Sequence, residues 1–322
     1  MHYRTFPGTD LTVSEVGFGA WTLGSDWWGT HSQEECDALL RRSLDLGVTF
    51  IDTGDTYGNG RAEEIIPAAL AAERKHLVIA TKFGYDIYAH PDSKGQRERP
   101  QRWDPDFVRF ACEQSLRRLA TDYIDLYQLH NPRLPDMQRD DLFATLEALQ
   151  AEGKIRHYGL ALGPAIGGTL DGGAMMEQRP MTSLQIIYNA LEQEPSRSFF
   201  STARERGVGL LVRVPHSSGL LEGHFTAETT FPPGDHRNHR PREWLLSGVK
   251  KVERLRFLTE GRDMTLGQAA LQFILAEPTV CSTLPNIYTV EHLEEFAAAP
   301  DLPDLPAADI ARVTALFDSD FA

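Results

Sequence analysis

Val48-Thr49-Phe50-Ile51-Asp52 and, beyond an amphipathic stretch at Arg61–Arg74, Leu77-Val78-Ile79-Ala80-Thr81-Lys82 are the segments whose reading decides the fold. Both runs are short, apolar and rich in branched residues. Neither alternates polar with apolar, as a strand with one wet face would; strands buried on both faces belong to parallel sheets. Parallel neighbours need a crossover, and the helical pattern lies between them. The unit repeats outward. Val16–Ala20, Tyr123–Gln128, Arg156–Ala161, Ser183–Tyr188, Val208–Val212 and Val280–Thr283 read as further strands, which makes eight.

Helical patterns fill the intervals. Glu34–Asp45 puts Cys36, Leu39, Leu40 and Leu44 on one face. Asp104 reads as an N-cap with Pro105 at the first helical position of a segment carrying Phe107, Phe110, Ala111, Leu116 and Leu119. Asp141–Ala151 stops at Gly153, Ser196–Arg206 stops at Gly207, and Ala307–Phe317 forms a last helix. Eight strands alternating with helices predict an α/β fold, a (β/α)8 TIM barrel forming a single domain over residues 1–322; an open doubly wound sheet is the alternative. The loops at Gly84–Trp103, Gly163–Pro180 (with room for a helix) and His216–Trp244 are long enough to be lids or binding loops.

The chain has 322 residues, 41% hydrophobic and 24% charged, ordinary values for a packed protein. Its net charge of −14 repels a phosphate backbone, so no nucleic-acid partner is expected. The longest stretch free of Asp, Glu, Lys and Arg is 14 residues, His157–Leu170, short of the roughly 20 that span a bilayer. No membrane partner is expected. Cys36, Cys112 and Cys281 are odd in number and far apart, and Met1-His2-Tyr3-Arg4 does not open an apolar leader. A cytoplasmic setting without disulfides follows as the expectation.

In a barrel the chemistry gathers at the carboxyl ends of the strands. Asp52 ends the second strand, Tyr57 lies in the loop after it, Lys82 ends the third and His130 follows the fourth. Each alone has a bland reading as a loop cap, a rim charge or a structural histidine. Together, on three neighbouring strands, they form a proton-transfer site. A free phenol titrates near 10, and a nearby ammonium favours its ionised form. A carboxylate holds the ammonium in place, and an imidazole can orient a carbonyl oxygen.

Phe50-Ile51-Asp52-Thr53-Gly54-Asp55-Thr56-Tyr57-Gly58 with the following Asn59-Gly60-Arg61-Ala62-Glu63-Glu64, then Ala80-Thr81-Lys82, Leu129-His130 and the opening Leu11-Thr12-Val13-Ser14-Glu15-Val16-Gly17-Phe18-Gly19, resemble the signatures of the aldo-keto reductase superfamily. The resemblance extends to about Phe296. It implies a (β/α)8 barrel that binds a nicotinamide cofactor without a Rossmann domain and reduces small carbonyl compounds. By resemblance Tyr57 is the general acid, Lys82 and Asp52 tune it, and His130 orients the carbonyl. The cofactor would meet Gly19, Trp21, Gln185, Arg213, Pro215, Ser217, Gly219, Leu220, Asn286, His292 and Glu295.

The cofactor segments also depart from the family pattern. The polar pair usual after the fifth strand is replaced by Gly159-Leu160-Ala161-Leu162-Gly163. Arg213 stands where an aromatic commonly stacks on the nicotinamide, and its charge should favour the reduced cofactor. Pro285–Phe296 has no Lys or Arg for a 2′-phosphate; His292 is its one candidate cation, and Phe296 replaces the usual Asn beside Glu295. NADP(H) is placed ahead of NAD(H). These departures keep open a nucleotide-binding sensor or partner subunit with little turnover, and a hydrolase or lyase on the same barrel; four matching catalytic positions favour the enzyme. Trp28 and Trp103, with Trp27, Tyr85 and Tyr88, are expected on the substrate wall, suiting sugar rings or aromatic carbonyls. His224, His236, Arg237, His239, Arg240 and Arg242 read first as a solvated mobile loop; the alternative is a basic lid able to attract an anionic substrate. No metal is expected at His236 and His239, and the sequence does not set an oligomeric state.

Overall fold

A computed structural model of the chain describes residues 1–25, 29–91, 98–163 and 169–322. The chain opens on an antiparallel pair, β1 (Tyr3–Thr5) and β2 (Thr12–Ser14). Eight further strands follow: β3 (Phe18–Gly19), β4 (Phe50–Asp52), β5 (Val78–Phe83), β6 (Ile124–His130), β7 (Ile155–Ala161), β8 (Ser183–Ile187), β9 (Gly209–Arg213) and β10 (Val280–Leu284). They pair in parallel and in chain order from β3 to β10. The ring closes where Val16 bridges Thr283 in parallel, with the Gly17 N–H donating to the Thr283 carbonyl at 2.9 Å and the Thr283 N–H to that of Glu15 at 2.8 Å. The fold is the (β/α)8 barrel, and the open sheet is set aside.

The helices start and stop as their cap residues direct. Ser32 and Glu35 form a capping box on the Gln33–Asp45 helix, and the Asp104 carboxylate accepts from the Phe107 N–H ahead of Pro105–Arg118. Gly207, left-handed at φ 66°, ends Phe200–Arg206. Two expected helices are each interrupted. Arg61–Leu70 gives way to a 3-10 turn at Ala71–His76 where Leu70 leaves helical dihedrals, and a 3-10 turn at Ser196–Phe199 precedes Phe200–Arg206. The loop after β7 does hold a helix, Gly172–Gln178. Phe110 is 45% exposed on its helix and packs edge-on against Tyr88 at 4.7 Å.

The barrel interior has its own apolar cluster, separate from the layer between strands and helices. Phe50, Ala80, Leu126, Leu211, Cys281 and Leu284 fill it from the strands, and Phe6, Leu11 and Val13 of the β1–β2 hairpin plug it from below. Gly209 leaves the space for that plug: a Cβ there would lie 2.4 Å from the Phe6 ring. No helix among the described residues is long and apolar enough to cross a membrane.

Candidate active site

Side chains alternate along a strand, so the apolar interior cluster fixes which residues above it also point inward. Ala80 and Leu126 belong to that cluster, which places Lys82 two residues on in β5, and Gln128 and His130 in β6, on the inner face. Lys82 is paired in register with Gln128, and Gln185 in β8 with the interior Leu211. The upper interior is therefore polar while the lower is apolar.

These groups converge on Asp52. The Lys82 ammonium donates to Asp52 Oδ1 at 2.5 Å and to the Thr53 carbonyl at 2.7 Å. Asp52 Oδ2 accepts from Gln128 Nε2 at 3.1 Å and from Gln185 Nε2 at 2.8 Å. Lys82 Nζ lies 4.8 Å from the Tyr57 ring centroid, and the His130 ring meets Tyr57 edge-on at 6.0 Å. All four residues expected to form the proton-transfer site thus share one pocket. Burial penalises the Lys82 ammonium, but the Asp52 carboxylate and the Tyr57 oxygen outweigh it and hold the amine above its ordinary value. His130 moves the opposite way: burial, then the charges of Lys82 and Arg213, push it well below 6.5, so it is neutral at pH 7. Its Nδ1 is buried without a partner among the described residues, and its ring lies 5.1 Å from Tyr85.

The turn that presents Tyr57 is tightly constrained. Gly58 sits at φ +61°, where a Cβ would fall 2.0 Å from the Gly24 carbonyl oxygen, so no other residue fits. Behind the turn, buried Glu63 accepts from Thr81 Oγ1 at 2.5 Å and from Arg118 Nε at 2.6 Å. Asp55, fully buried with both carboxyl oxygens unpartnered among the described residues, is pushed well up by burial and then by the Glu63 charge. Sequence reasoning missed Glu63, Arg118, Asp55 and Gln128. Gln128 shares its face of the strand with Leu126 and His130, but Asp125 lies in the same strand, so a lone amide does not stand out.

Of the expected cofactor residues, Gln185 on β8 is engaged by Asp52, Gly19 and Trp21 lie at and just after the end of β3, and the others follow β9 and β10. Arg213 ends β9, close enough for its charge to act on His130. The next turn carries Val214, Ser217, Ser218 and Gly219 at positive φ, with Pro215 buried. The turn is held by its own backbone, with the Ser217 N–H donating to the Val214 carbonyl at 3.1 Å and the Gly219 and Leu221 N–H groups to that of His216 at 3.0 and 3.1 Å. The side chains there are otherwise engaged: Ser217 Oγ donates to Glu192 at 2.9 Å, and Leu220 packs in the core against Gly248. Phe225 covers Gly219, and Arg237 lies over Phe231 at 4.5 Å while paired with Asp235 at 2.6 Å. His236 sits edge-on to Trp21 at 5.2 Å, and Trp21 lies 6.5 Å from Tyr57. Residues 225–240 therefore strap the mouth from Gly219 to Trp21. Gly19, half-buried at the end of β3, and half-buried Asn286 flank it.

Several expectations are corrected here. The lid is much less basic toward solvent than its composition suggests. Arg237 is neutralised by Asp235, the Arg242 guanidinium donates to the carbonyls of Thr229 and Ala227, and burial drives His236 down to about 4. His292 stacks on Phe296 at 5.7 Å and meets Tyr288 edge-on at 4.5 Å, and burial lowers it below its ordinary value, which weakens it as a cation for a 2′-phosphate. Glu295 accepts from Thr265 Oγ1, which ties it to the neighbouring helix. Trp103 is 6% exposed and packs on Phe83 and Gly84 in the core, because Gly84 lacks the side chain that would displace it. Tyr85 is buried against His130, with its hydroxyl bound to Asn131 and Glu98. Trp27 and Trp28 lie outside the described residues.

Comparison with known proteins agrees with this geometry. The chain is 30% identical over 292 residues to the aldo-keto reductase yakc [NADP(+)] of Schizosaccharomyces pombe, covering 88% of this chain and 83% of that protein. It is 28% identical over 306 residues to the NADH-specific methylglyoxal reductase of Escherichia coli, covering 90% and 91%. The holo form of aldo-keto reductase AKR11C1 from Bacillus halodurans superposes with a TM-score of 0.78 at 27% identity, covering 98% of this chain and 96% of that one. The profile of the Aldo/keto reductase family matches residues 15–318, and the chain belongs to that family of oxidoreductases.

Proposed function

We propose that this chain reduces a small aldehyde or ketone to the alcohol with a nicotinamide dinucleotide, with Tyr57 giving the proton to the carbonyl oxygen. The observation that carries the reading is the buried Lys82 ammonium, 2.5 Å from Asp52 and 4.8 Å from the Tyr57 ring, with His130 edge-on to the same ring. When bound, the cofactor supplies the hydride to the carbonyl carbon. As charge develops on the carbonyl oxygen, the Tyr57 hydroxyl hands its proton over and becomes a phenolate. Lys82 stabilises that phenolate electrostatically, in a dry pocket where a fixed charge acts strongly. Asp52 keeps Lys82 charged and in place. His130, neutral, donates a hydrogen bond that orients the carbonyl without competing for the proton.

Arg213, Trp21 and the left-handed turn at 217–219 would hold the nicotinamide and pyrophosphate, under the 225–240 strap. We place NADP(H) ahead of NAD(H): yakc is named for NADP(+), although the E. coli relative is named NADH-specific and the adenine segment here lacks Lys and Arg. The test mixes the protein with NADPH or NADH and a panel of small aldehydes, ketones and sugars, following cofactor absorbance. Turnover is expected, faster with NADPH, and Tyr57→Phe should lower kcat by about a hundred- to ten-thousandfold while leaving cofactor affinity within a few fold. A Tyr57→Phe protein as fast as wild type would remove Tyr57 from the reaction.

A further inference from the structure

Asp52 receives more hydrogen bonds than an ion pair with lysine requires. One oxygen takes the Lys82 ammonium; the other takes two amide N–H groups, from Gln128 on β6 and Gln185 on β8. Gln128 has no exposed surface, and its own carbonyl Oε1 is buried with no partner among the described residues. A buried unpaired carbonyl is destabilising, so the fold tolerates a loss at Gln128 in order to aim its N–H at Asp52.

The reason lies in where the Lys82 proton rests. A carboxylate and an ammonium 2.5 Å apart in a dry interior can exist as an ion pair or, with the proton moved to oxygen, as a neutral acid and amine. Donors to a carboxylate favour its charged form. Two amides that can only donate to Asp52 Oδ2 therefore keep the proton on Lys82, where its charge faces Tyr57.

We propose that Gln128 is a positioning residue for the reaction, its amide and that of Gln185 holding Asp52 ionised so that Lys82 stays an ammonium beside Tyr57. This rests on the carbonyl-reductase reading, and the test separates the two. Wild type, Gln128→Met and Gln128→Glu are assayed with NADPH and one small aldehyde from pH 5 to 8, with cofactor binding followed by fluorescence quenching to show that each variant is folded. Methionine fills the volume and donates nothing. Its kcat should fall about ten- to a hundredfold at every pH, with KM and cofactor affinity within about twofold.

Glutamate at 128 can donate to Asp52 Oδ2 only while protonated. Once ionised it repels Asp52. The kcat of Gln128→Glu, as a ratio to wild type, should therefore be high at pH 5 and fall toward pH 8, a slope absent from Gln128→Met. Asp52, Lys82, Tyr57 and His130 on β4–β6 and their connection, and Arg213 across the barrel, are common to all three proteins, so the extra slope reports position 128. A Gln128→Met kcat within about twofold of wild type, or a Gln128→Glu kcat no higher than that of methionine at pH 5, where glutamate is most protonated, overturns the proposal. A wild type that reduces no carbonyl refutes the reductase reading, and the proposal with it.

Discussion

The two ends of one barrel interior are built from the same strands and are opposites. Below, Phe50, Ala80, Leu126 and Leu211 meet Phe6, Leu11 and Val13 of the hairpin, and the contacts are wholly apolar. Above, two to four residues further along β5 and β6, Lys82, Gln128 and His130 converge on Asp52 and Tyr57. Burial at the lower end stabilises, because apolar groups lose nothing on leaving water. At the upper end burial penalises every group, and what it produces is a charge held where solvent cannot screen it. A large mutational loss should thus appear as instability below and as lost turnover above.

Breaking the upper ion pair gives the largest expected effect. Asp52→Asn strands a buried ammonium, and Lys82→Met leaves a buried carboxylate with only its amide donors. Each should lower turnover about a thousandfold or more and destabilise by about 3–5 kcal/mol, because the remaining charge has lost its counter-ion. The double variant Asp52→Asn/Lys82→Met removes both charges. In urea melts it should recover most of the lost stability, while kcat stays at the level of the singles. If the double variant is as unstable as the singles, the pair is structural and the contrast between the two ends fails.

The lower end gives the converse. Phe6→Ala removes a fully buried ring from the hairpin plug and opens a cavity, which should cost about 3–5 kcal/mol in the same melts. Phe6 touches none of the upper polar groups, so kcat/KM for a small aldehyde should stay within about twofold below the melting range. A tenfold fall in kcat/KM with intact folding would show that the plug positions the site above it.

How much of this was legible follows the same division. The eight strands β3 to β10 were read correctly because residues buried on both faces must be apolar, and such runs leave that signature whatever they carry at their ends. Asp52, Tyr57, Lys82 and His130 were singled out because charged or polar groups stand out at the ends of such runs, and the fold brings them together. The hairpin plug was missed, since three-residue strands such as Tyr3–Thr5 and Thr12–Ser14 are too short to show a period. Gln128 was missed because a single amide inside a strand reads as an ordinary polar residue until its partner is known. The alternative of a basic lid fails for a related reason: a sequence displays charges but not their counter-ions, and Asp235 pairs with Arg237. Trp103 has the same cause on the apolar side, as an indole looks alike in sequence whether it faces a substrate or the space that Gly84 leaves.

The contrast also has a pH dependence. His216, in the turn after β9, is buried and donates Nε2–H to the Gly267 carbonyl at 3.1 Å; burial lowers it to about 4. In the unfolded chain it titrates near 6.5, so between about 6.5 and 4 the unfolded state binds the proton that the folded state refuses. The stability that a neutral His216 contributes is therefore complete above pH 6.5 and is lost as the pH falls toward 4, by about 3 kcal/mol at most. Neutral, buried His130 adds a loss of the same sign. The hairpin plug, Phe6, Leu11 and Val13, carries no group that titrates there. Glu222, in the same turn as His216, works the other way: burial raises it to about 7, so the folded state takes up its proton as the pH falls. The His216 effect is therefore read against His216→Gln, which keeps an N–H for the Gly267 carbonyl but cannot take up a proton. On going from pH 7 to pH 5, amide hydrogen exchange at residues 216–222, corrected for intrinsic rates, should be faster in wild type than in His216→Gln, with no such difference at residues 6–13. Equal acceleration at both ends, unchanged in His216→Gln, would mean that acid melts the barrel as one unit.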